Sequence, residues 1–408
     1  MKVSRFLPAF AVVGILAAAC GGGGGGGGPT TATVPSDLSV SSFTADFSYM
    51  SKLNNLVTSG HGLVGVILPD TTTSARYVAY DLPYLKKAFT TAGYTSSQFK
   101  IDNAQGSTTS ELAIAQADIT QGATVLLVDQ ADVPTGSQIQ AYAQSHGVKV
   151  IAYDRAIFTG SNTYYVSFDN EKVGELIGKG FKDCVSSWGV KNPKVFTLDG
   201  GQDIDANAVS FAQGYNKIVW GDTTTPEPAG KTNSDGYTLV ADKVAPGWDN
   251  AKGGAIFQQQ FTAHPEINAT IEANDGLGNA VIQVLKNKGV KAKTVPTTGQ
   301  DATLQGMENV LQNYQCGSVY KPIYLEAQDA VSLATVLRAG AQPPSALLNG
   351  NTSPPSGSQG SQQPASLLVP IWVTTSNMNS TVIKDNFVDK ATLCGAVTAA
   401  VCQAAGIS

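Results

Sequence analysis

Short apolar segments that each stop at a planar polar side chain recur along this chain, and this pattern constrains the fold more than any other feature. The apolar residues 64–68 precede Asp70, and residues 150–153 precede Asp154. Further polar residues placed after apolar segments are Arg155, Asp169, Asn170, Glu171, Asp199, Asn274 and Asp275. Apolar segments of this length, bounded by Gly, Asp and Asn, are typical of buried parallel strands. The pattern therefore predicts an α/β fold with polar side chains at the carboxyl ends of its strands.

Strand-like and helix-like segments alternate from Gly62 onward. The predicted strands are 63–68, 98–102, 124–129, 149–153, 163–168, 194–198, 237–242, 267–273, 293–297 and 316–321, and the predicted helices include 81–92, 110–121, 136–145 and 171–181. Repeated units of strand and helix predict parallel sheets with right-handed crossovers. Two such series suit a chain of 408 residues that folds as two similar lobes. The segments 222–235 and 349–365 interrupt this scheme, and their composition predicts surface loops.

The composition excludes several classes of function. Charged residues make up 14% of the chain, the formal net charge is −5 and the sequence pI is about 5.2. No basic stripe is present, so we expect no nucleic-acid partner. The histidines His61, His146 and His264 lack the spacing of metal ligands, and no Cys-x-x-Cys occurs. We therefore expect neither a metal site nor a cofactor.

The first 60 residues have the character of an export signal followed by a tether. Lys2 and Arg5 precede the apolar residues 6–19, which are too few for a comfortable membrane span, and Cys20 follows three alanines. We predict a lipoprotein signal peptide over 1–20, lipidation of Cys20 and a flexible tether over 21–60 that begins with a glycine run. Ala17 stands where lipoprotein signals usually have leucine, and the alternative is plain secretion with Cys20 incidental.

Four cysteines remain after Cys20, and their number suits an oxidising compartment. Cys394 and Cys402 flank a short segment near the C-terminus and are expected to close a local loop. Cys184 and Cys316 form the other candidate pair. Four cysteines allow three connectivities, and sequence alone does not choose among them.

Seven motifs, each at or near a predicted strand end, are similar to those of one known family. They are LPDTTTSARY at 68–77, VIAYDR at 150–155, VSFDNEKVGEL at 166–176, DIDANA at 203–208, EANDG at 272–276, TGQDA at 298–302 and VYKPI at 319–323. In this order they resemble the xylose-binding proteins, members of the type I periplasmic sugar-binding family that serve ABC importers. The resemblance covers about residues 62–340, with a looser match to the end.

The resemblance implies an α/β fold of two Rossmann-like lobes with parallel sheets, joined by a three-crossover hinge, with the sugar enclosed between the lobes. By this likeness, the N-terminal lobe comprises residues 61–156 plus about 322–348. The C-terminal lobe comprises residues 157–321 plus about 366–408.

The family also implies which side chains contact the ligand. Carried over by motif, they are Arg76, Tyr77, Asp154, Arg155, Asp205, Asn207, Trp248, Asn274, Asp301 and Lys321. Carboxylates, amides and cationic groups suit a pyranose, because its hydroxyls both donate and accept hydrogen bonds. The chain departs from the family pattern at Val209, where a lysine usually follows the Asn-Ala pair, and its loop after Gly65 is one residue longer.

Three residues near this set have plainer interpretations. Asp169 precedes a predicted helix, so we interpret it as a helix cap and leave it out of the site. Asp275 is interpreted likewise as a cap beside a ligand-facing Asn274. Trp248 is a candidate for stacking on the sugar, and the alternative is a core aromatic residue.

The leading hypothesis is a monomeric receptor that captures a monosaccharide, D-xylose first, and delivers it to an ABC permease and its ATPase. It would be exported and lipid-anchored at the outer face of the membrane, or periplasmic. The alternatives are another pentose or hexose, or a sugar-sensing subunit. A glycoside-processing enzyme with Asp154 and Asp301 as its carboxylates is disfavoured, because Arg155 and Lys321 favour ionised carboxylates over a general acid. A transcription regulator of this fold would need a helix-turn-helix before the first strand.

Overall fold

The structure is a computed structural model that describes residues 33–74 and 76–407. The predicted signal peptide and Cys20 lie outside these residues, as does the first part of the predicted tether. The described part of that tether is packed. Ser48–Leu53 forms a 3₁₀ helix, and Leu38, Met50 and Leu53 are buried in the hydrophobic core.

Twelve strands and twelve α-helices make up the regular structure of the described residues. The strands are β1 (Leu63–Leu68), β2 (Phe99–Asn103), β3 (Ala123–Val128), β4 (Lys149–Tyr153), β5 (Thr163–Phe168), β6 (Lys194–Asp199), β7 (Thr238–Val244), β8 (Ala269–Glu272), β9 (Ser318–Tyr320), β10 (Gly350–Thr352), β11 (Gln363–Leu368) and β12 (Ile371–Val373). The helices are α1 (Asn54–Ser59), α2 (Leu82–Ala92), α3 (Thr108–Thr120), α4 (Val133–Ser145), α5 (Asn170–Ser187), α6 (Ala206–Val219), α7 (Asn250–Ala263), α8 (Asp275–Asn287), α9 (Leu304–Leu311), α10 (Ile323–Arg338), α11 (Lys390–Ala396) and α12 (Ala399–Ala404).

The described strands form three sheets: a large first sheet, a small second sheet and a two-stranded antiparallel sheet of β9 and β12. The first sheet has the order β10-β11-β5-β4-β3-β1-β2 and is parallel except for the β10–β11 pair, while the second has the parallel order β7-β6-β8. We call the elements packed on these sheets the first and second lobes. The chain passes between the lobes three times, between β5 and α5, between β9 and α10, and between β11 and β12, where β12 pairs with β9. These passages are the three crossovers of the fold.

The first sheet is buried on both faces. Val64, Val66 and Leu68 belong to the core on one face, and Ile67 belongs to the core on the other, because successive side chains of a strand point in opposite directions. Burial on both sides explains why β1, β3 and β4 appear in the sequence as continuous apolar runs. The second sheet has its own core, which includes Phe196.

Two segments differ from the expected secondary structure. Residues 293–297, which were predicted as a strand, form none. This segment contacts β8 through isolated hydrogen bonds and not through a regular ladder, and in one of them the Thr270 N–H donates to the Pro296 carbonyl at 2.9 Å. The segment 349–365 is not wholly a loop, since β10 and the start of β11 pair there as an antiparallel edge.

Strand β5 lies within the range 157–321 that the sequence assigned to the C-terminal lobe. Its hydrogen bonds nevertheless join it to β4 and β11 of the first sheet. The crossover from the first sheet therefore follows Phe168, which brings the polar residues after β4 to the edge that faces the second lobe.

Both expected disulfides are present. Cys184 of α5 is bonded to Cys316 just before β9, and Cys394 is bonded to Cys402 between α11 and α12. Within residues 33–74 and 76–407, no helix has the length and apolar character that crossing a bilayer requires.

Candidate functional site

The ten predicted contact residues all line one cavity between the two lobes, which we call the central cavity. They are Arg76, Tyr77, Asp154, Arg155, Asp205, Asn207, Trp248, Asn274, Asp301 and Lys321. Four lining residues were not predicted, namely Thr73, Ser74, Phe211 and Gln300. About 340 Å³ of space free of atoms lies among these side chains, and this figure includes space open to solvent.

Strand ends and helix starts position these side chains. Asp154 follows β4, Asn274 lies at the start of α8 after β8, and Lys321 follows β9. Asp205 caps the N-terminus of α6, with its side chain accepting from the Asn207 N–H. The arrangement follows the rule that open parallel sheets bind ligands beyond the carboxyl ends of their strands.

Three of these residues have an unusual backbone conformation. Asp154, Trp248 and Asp301 lie in the left-handed region, with φ of 57°, 59° and 92°. Side chains other than glycine seldom adopt such angles, and they persist where the surrounding structure over-determines them, frequently at ligand sites. Tyr77 begins a short π-helical segment, Tyr77–Asp81, which is another local irregularity often found at functional sites.

Arg76 is held by three carboxylates at the first-lobe side of the cavity. Its Nε and Nη2 donate to the two oxygens of Asp81 at 2.8 Å each, and Nη2 also donates to Glu326 at 2.7 Å. Its Nη1 donates to Asp154 Oδ1 at 2.6 Å. A guanidinium has five N–H groups, so these four bonds leave one for a ligand. Arg76 is therefore fixed in orientation before any ligand arrives.

Arg155 joins both lobes to the cavity. Its guanidinium donates to the Gln130 carbonyl at 3.1 Å and to Thr73 Oγ1 at 3.3 Å, both in the first lobe. Its Nε lies 3.6 Å from Asp205 Oδ2 in the second lobe. The side chain is 3% exposed, so this ion pair is poorly screened by solvent.

The carboxylates beside the two arginines, Asp154 and Asp205, have pKa values shifted in opposite directions. Burial alone would raise the pKa of Asp154, but Arg76 and then Lys321 hold that pKa below its usual value. Burial raises the pKa of Asp205, and the neighbouring Arg155 opposes that rise. Asp154 is thus an ionised acceptor and does not have the raised pKa that a general acid needs.

Several buried polar groups at the cavity have no hydrogen-bond partner within the described chain. Asp301 Oδ1 and Gln300 Oε1 are buried and unpaired. The Lys321 ammonium lies 3.5 Å from Asp301 Oδ1 and 3.8 Å from Asp154 Oδ1. Asn274 uses its Oδ1 to cap α8, which leaves its NH₂ group available. Since unpaired buried polar groups are costly, the cavity is suited to a ligand that supplies both donors and acceptors.

Aromatic side chains complete the wall. Trp248 packs in the core of the second lobe and also lines the cavity, and its Nε1 donates to Asp205 Oδ2 at 3.2 Å. Trp248 is therefore a core residue that also lines the cavity, and its stacking on a sugar stays a prediction. Phe211 was missed, although it lies one helical turn after Asn207 on the same face of α6, which was the available signal. Gln300 was detectable only as the neighbour of Asp301.

The interpretations of the nearby aspartates are resolved by hydrogen bonds. Asp169 caps α5 by accepting from the Lys172 N–H at 3.0 Å and does not line the central cavity. The prediction that Asp275 caps α8 is wrong, because Asn274 is the cap, with its Oδ1 accepting from the Leu277 N–H at 2.9 Å. Asp275 is instead buried, where it accepts hydrogen bonds from Thr303, Gln315 and Ser318. Val209, the departure from the family pattern, does not line the central cavity.

We expect the protein to lose stability as the pH rises from about 5 to about 8.5. Burial raises the pKa of Glu272 and of Asp329 to about 8, and of Asp275 to about 7. Because these carboxyl groups hold protons in the folded state that the unfolded chain has already released, folding becomes less favourable with each pH step up to their folded pKa. Thermal unfolding across this range should give a melting temperature that falls by several degrees.

The variant Glu272→Gln removes one of these groups and should make the fall shallower. Glu272 suits this test because it lies in β8, with one oxygen accepting from the Thr298 N–H and the other unpaired. A melting temperature that is constant or rises between about pH 5 and about pH 8.5 would contradict the prediction.

Comparisons with known proteins agree with this fold. The sequence profile described as periplasmic binding protein domain matches residues 64–342. The D-xylose-binding periplasmic protein of Escherichia coli (strain K12) is 32% identical over 288 residues, 70% of this chain and 80% of that protein. A multiple sugar-binding periplasmic protein of Azospirillum brasilense is 28% identical over 339 residues, 80% of this chain and 90% of that protein.

A solved structure supplies an independent comparison of the fold. The ABC transporter solute binding protein from Clostridium phytofermentans, with bound β-D-glucose, has a TM-score of 0.69 and 22% sequence identity, and the match covers 81% of this chain and 99% of that chain. The profile match spans more than half of the chain, and the lobes, sheets and crossovers are those of the same fold. The chain therefore belongs to the periplasmic binding protein family, with the type I fold, and this family consists of substrate-binding proteins, not enzymes.

Proposed function

We propose that this protein is the substrate-binding component of an ABC sugar importer and encloses one monosaccharide in the central cavity, with D-xylose as the leading candidate. The observation that carries this proposal is that the cavity holds both buried acceptors without a hydrogen-bond partner and donors with N–H groups to spare. Asp301 and Gln300 offer acceptors, while Lys321 and Asn274 offer donors. A sugar hydroxyl is both donor and acceptor, so a ring of hydroxyls satisfies both kinds of group at once.

A neutral ligand suits the charges of the cavity. Arg76 is bonded to Asp81, Glu326 and Asp154, and Arg155 is paired with Asp205. Because both arginines are already bonded to carboxylates, a charged ligand would bring a further buried charge for which no free partner is available among these groups. The aromatic walls from Tyr77 and Trp248 suit the apolar C–H faces of a sugar ring.

Ligand capture by hinge closure follows from the division of contacts between the lobes. Arg76 and Asp154 belong to the first lobe, while Asp205 and Asn274 belong to the second. Only a form that brings both sets around the sugar satisfies all of its hydroxyls, so the sugar favours the closed form. We propose that the two lobes implied by the resemblance are the moving parts, except that β5 and β11 move with the first sheet and not with the C-terminal lobe.

A panel of sugars tests the function. Calorimetric titration and thermal shift with pentoses and hexoses should give binding by D-xylose or a close relative, and D-glucose is included because a similar structure holds it. Failure of every pentose and hexose to bind would refute the function. Tighter binding of another sugar would support the alternative hypothesis of a different monosaccharide and leave the class of function intact.

We also propose that the protein is exported, anchored by a lipid on Cys20, and presents its sugar as a monomer to a permease and its ATPase. The segment before Cys20 and the glycine run after it support this proposal. Cys20→Ser should move the protein from the detergent phase to the aqueous phase in detergent partition. Wild-type protein that stays in the aqueous phase, with no lipid mass on Cys20, would contradict the anchor. A sensing role is separated from transport by deleting the neighbouring permease gene and measuring sugar uptake.

A further inference from the structure

A second cavity adjoins the central cavity, and we call it the outer cavity. The two cavities share Thr73, Ser74, Asn274 and Asp301 as walls. The outer cavity holds about 750 Å³ of space free of atoms, against about 340 Å³ in the central cavity. Its other walls include exposed residues, so it leads from the central cavity toward solvent.

The outer cavity is lined by uncharged polar groups. Apart from the shared residues, its walls include Thr71, Thr72, Asn250, Asn279, Thr303 and Gln305. All of these side chains are hydroxyls or primary amides, and the shared Asp301 is the one ionisable group among the residues that line this cavity. Hydroxyl and amide groups both donate and accept hydrogen bonds, so they suit a neutral polyol, while they provide no charge to compensate an ionic ligand.

Both lobes contribute to this cavity, and part of its hydrogen-bonding capacity is unused. Asn250 is exposed, and its side chain makes no hydrogen bond to other residues within 33–74 and 76–407. Asn279 accepts from Asn309 at 2.7 Å through its Oδ1, which leaves its own NH₂ group available. Thr71 and Thr72 come from the loop after β1 on the opposite side.

We infer that the outer cavity is a subsite for a second sugar residue, linked to the one in the central cavity, so that the ligands include disaccharides. This inference rests on the proposed function. The glycosidic bond would pass between the cavities beside Asn274 and Asp301. The second sugar unit would then form hydrogen bonds with Asn250, Asn279 and the threonines. No aromatic residue lines the outer cavity, so its contribution comes from hydrogen bonds and is expected to be modest.

Paired titrations test the subsite. D-xylose is compared with xylobiose, and D-glucose with cellobiose and maltose, by calorimetry on the wild-type protein. We expect at least one disaccharide to bind with a Kd within about 10-fold of its own monosaccharide. If monosaccharides bind and the Kd of every disaccharide exceeds that of its own monosaccharide by more than about 10-fold, the subsite is refuted while the proposed function stands. If no sugar binds, both proposals fail.

A bulky substitution tests where the second sugar unit binds. Asn250→Trp fills the outer cavity from α7 and should weaken the disaccharide at least about 10-fold while changing the monosaccharide by less than about 2-fold. Gln258→Trp, exposed on the same helix and not among the residues that line either cavity, is the matched control. Gln305→Trp repeats the test from another wall should Asn250→Trp fail to fold. Disaccharide binding that survives the folded variant would place the second residue elsewhere and overturn the inference.

Discussion

Asn274→Ala and Asp301→Ala are each expected to weaken D-xylose binding by about 30- to 1,000-fold, equivalent to about 2–4 kcal/mol. Each change would leave two or more sugar hydroxyls without a partner inside a closed and desolvated cavity. Both residues line the central cavity, and neither belongs to a hydrophobic core. Calorimetric titration of the two variants and of the wild type measures the loss.

Two more conservative changes separate binding from folding. Asn274 caps α8, and Asn274→Ser keeps a capping oxygen while it removes the NH₂ group, so it should lose affinity with little loss of stability. Asp301 has a φ of 92°, and Asp301→Asn tolerates that conformation better than alanine does. Unchanged xylose affinity in both alanine variants, with wild-type binding established, would refute the proposed site.

Asp169→Ala is the matched control for both variants. Asp169 caps α5 and lies outside the central cavity, so its loss should lower the free energy of unfolding by about 1 kcal/mol and leave xylose affinity nearly unchanged. A large loss of affinity in this variant would mean that the distinction between caps and contact residues is wrong.

The positions of the contact residues could be predicted because parallel sheets impose a simple geometry. Strands that are apolar on both faces are recognisable in sequence, and their carboxyl ends meet at one edge. Asp154 therefore lies at the carboxyl edge of the first sheet and Asn274 at that of the second. The packing of the two lobes brings these edges, together with Lys321 after β9 of the antiparallel β9–β12 pair, around one cavity. The motifs of the related family then selected, among many polar residues, ten that line the central cavity, and their contact with a sugar stays a prediction.

Other features depend on contacts that local sequence does not encode. Helix boundaries shift by a residue, so Asp275 was assigned the cap that Asn274 makes. The irregular pairing around Thr298 depends on Glu272 of a neighbouring strand, so the run at 293–297 resembled an ordinary strand. Phe211 was not predicted, because nothing in the local sequence distinguishes an apolar residue of a cavity wall from one of a core.

The network around Arg76 is the clearest case of this limit. Arg76 and Glu326 are 250 residues apart in sequence, and only the packing of α10 against the first sheet brings them together. The resemblance implied that Arg76 contacts the sugar. It contained no sign that four hydrogen bonds to carboxylates hold this side chain in place.

Arg76→Met is expected to lower the free energy of unfolding by about 3–5 kcal/mol. Methionine has a similar length but no charge, so Asp81, Glu326 and Asp154 would remain buried around a position that no longer compensates them. Urea unfolding followed by tryptophan fluorescence measures the change. Lys179→Met is the control, because Lys179 pairs with Asp183 in a salt bridge whose side chains are both 69% exposed, and exposed pairs contribute little.

Neutralising a carboxylate should rescue part of this loss, which distinguishes an electrostatic cause from a packing defect. Glu326 is buried, and its burial raises its pKa to about 7. Arg76→Met leaves the negative charge of the surrounding carboxylates uncompensated, and adding Glu326→Gln removes part of that charge. The double variant should therefore be more stable than Arg76→Met alone. Lower pH should act in the same direction, because protonation removes the same charge. If the double variant is as unstable as Arg76→Met, and lowering the pH to about 5 stabilises Arg76→Met no more than it stabilises the wild type, the loss comes from packing, and Arg76 is not the charge that holds these carboxylates in place.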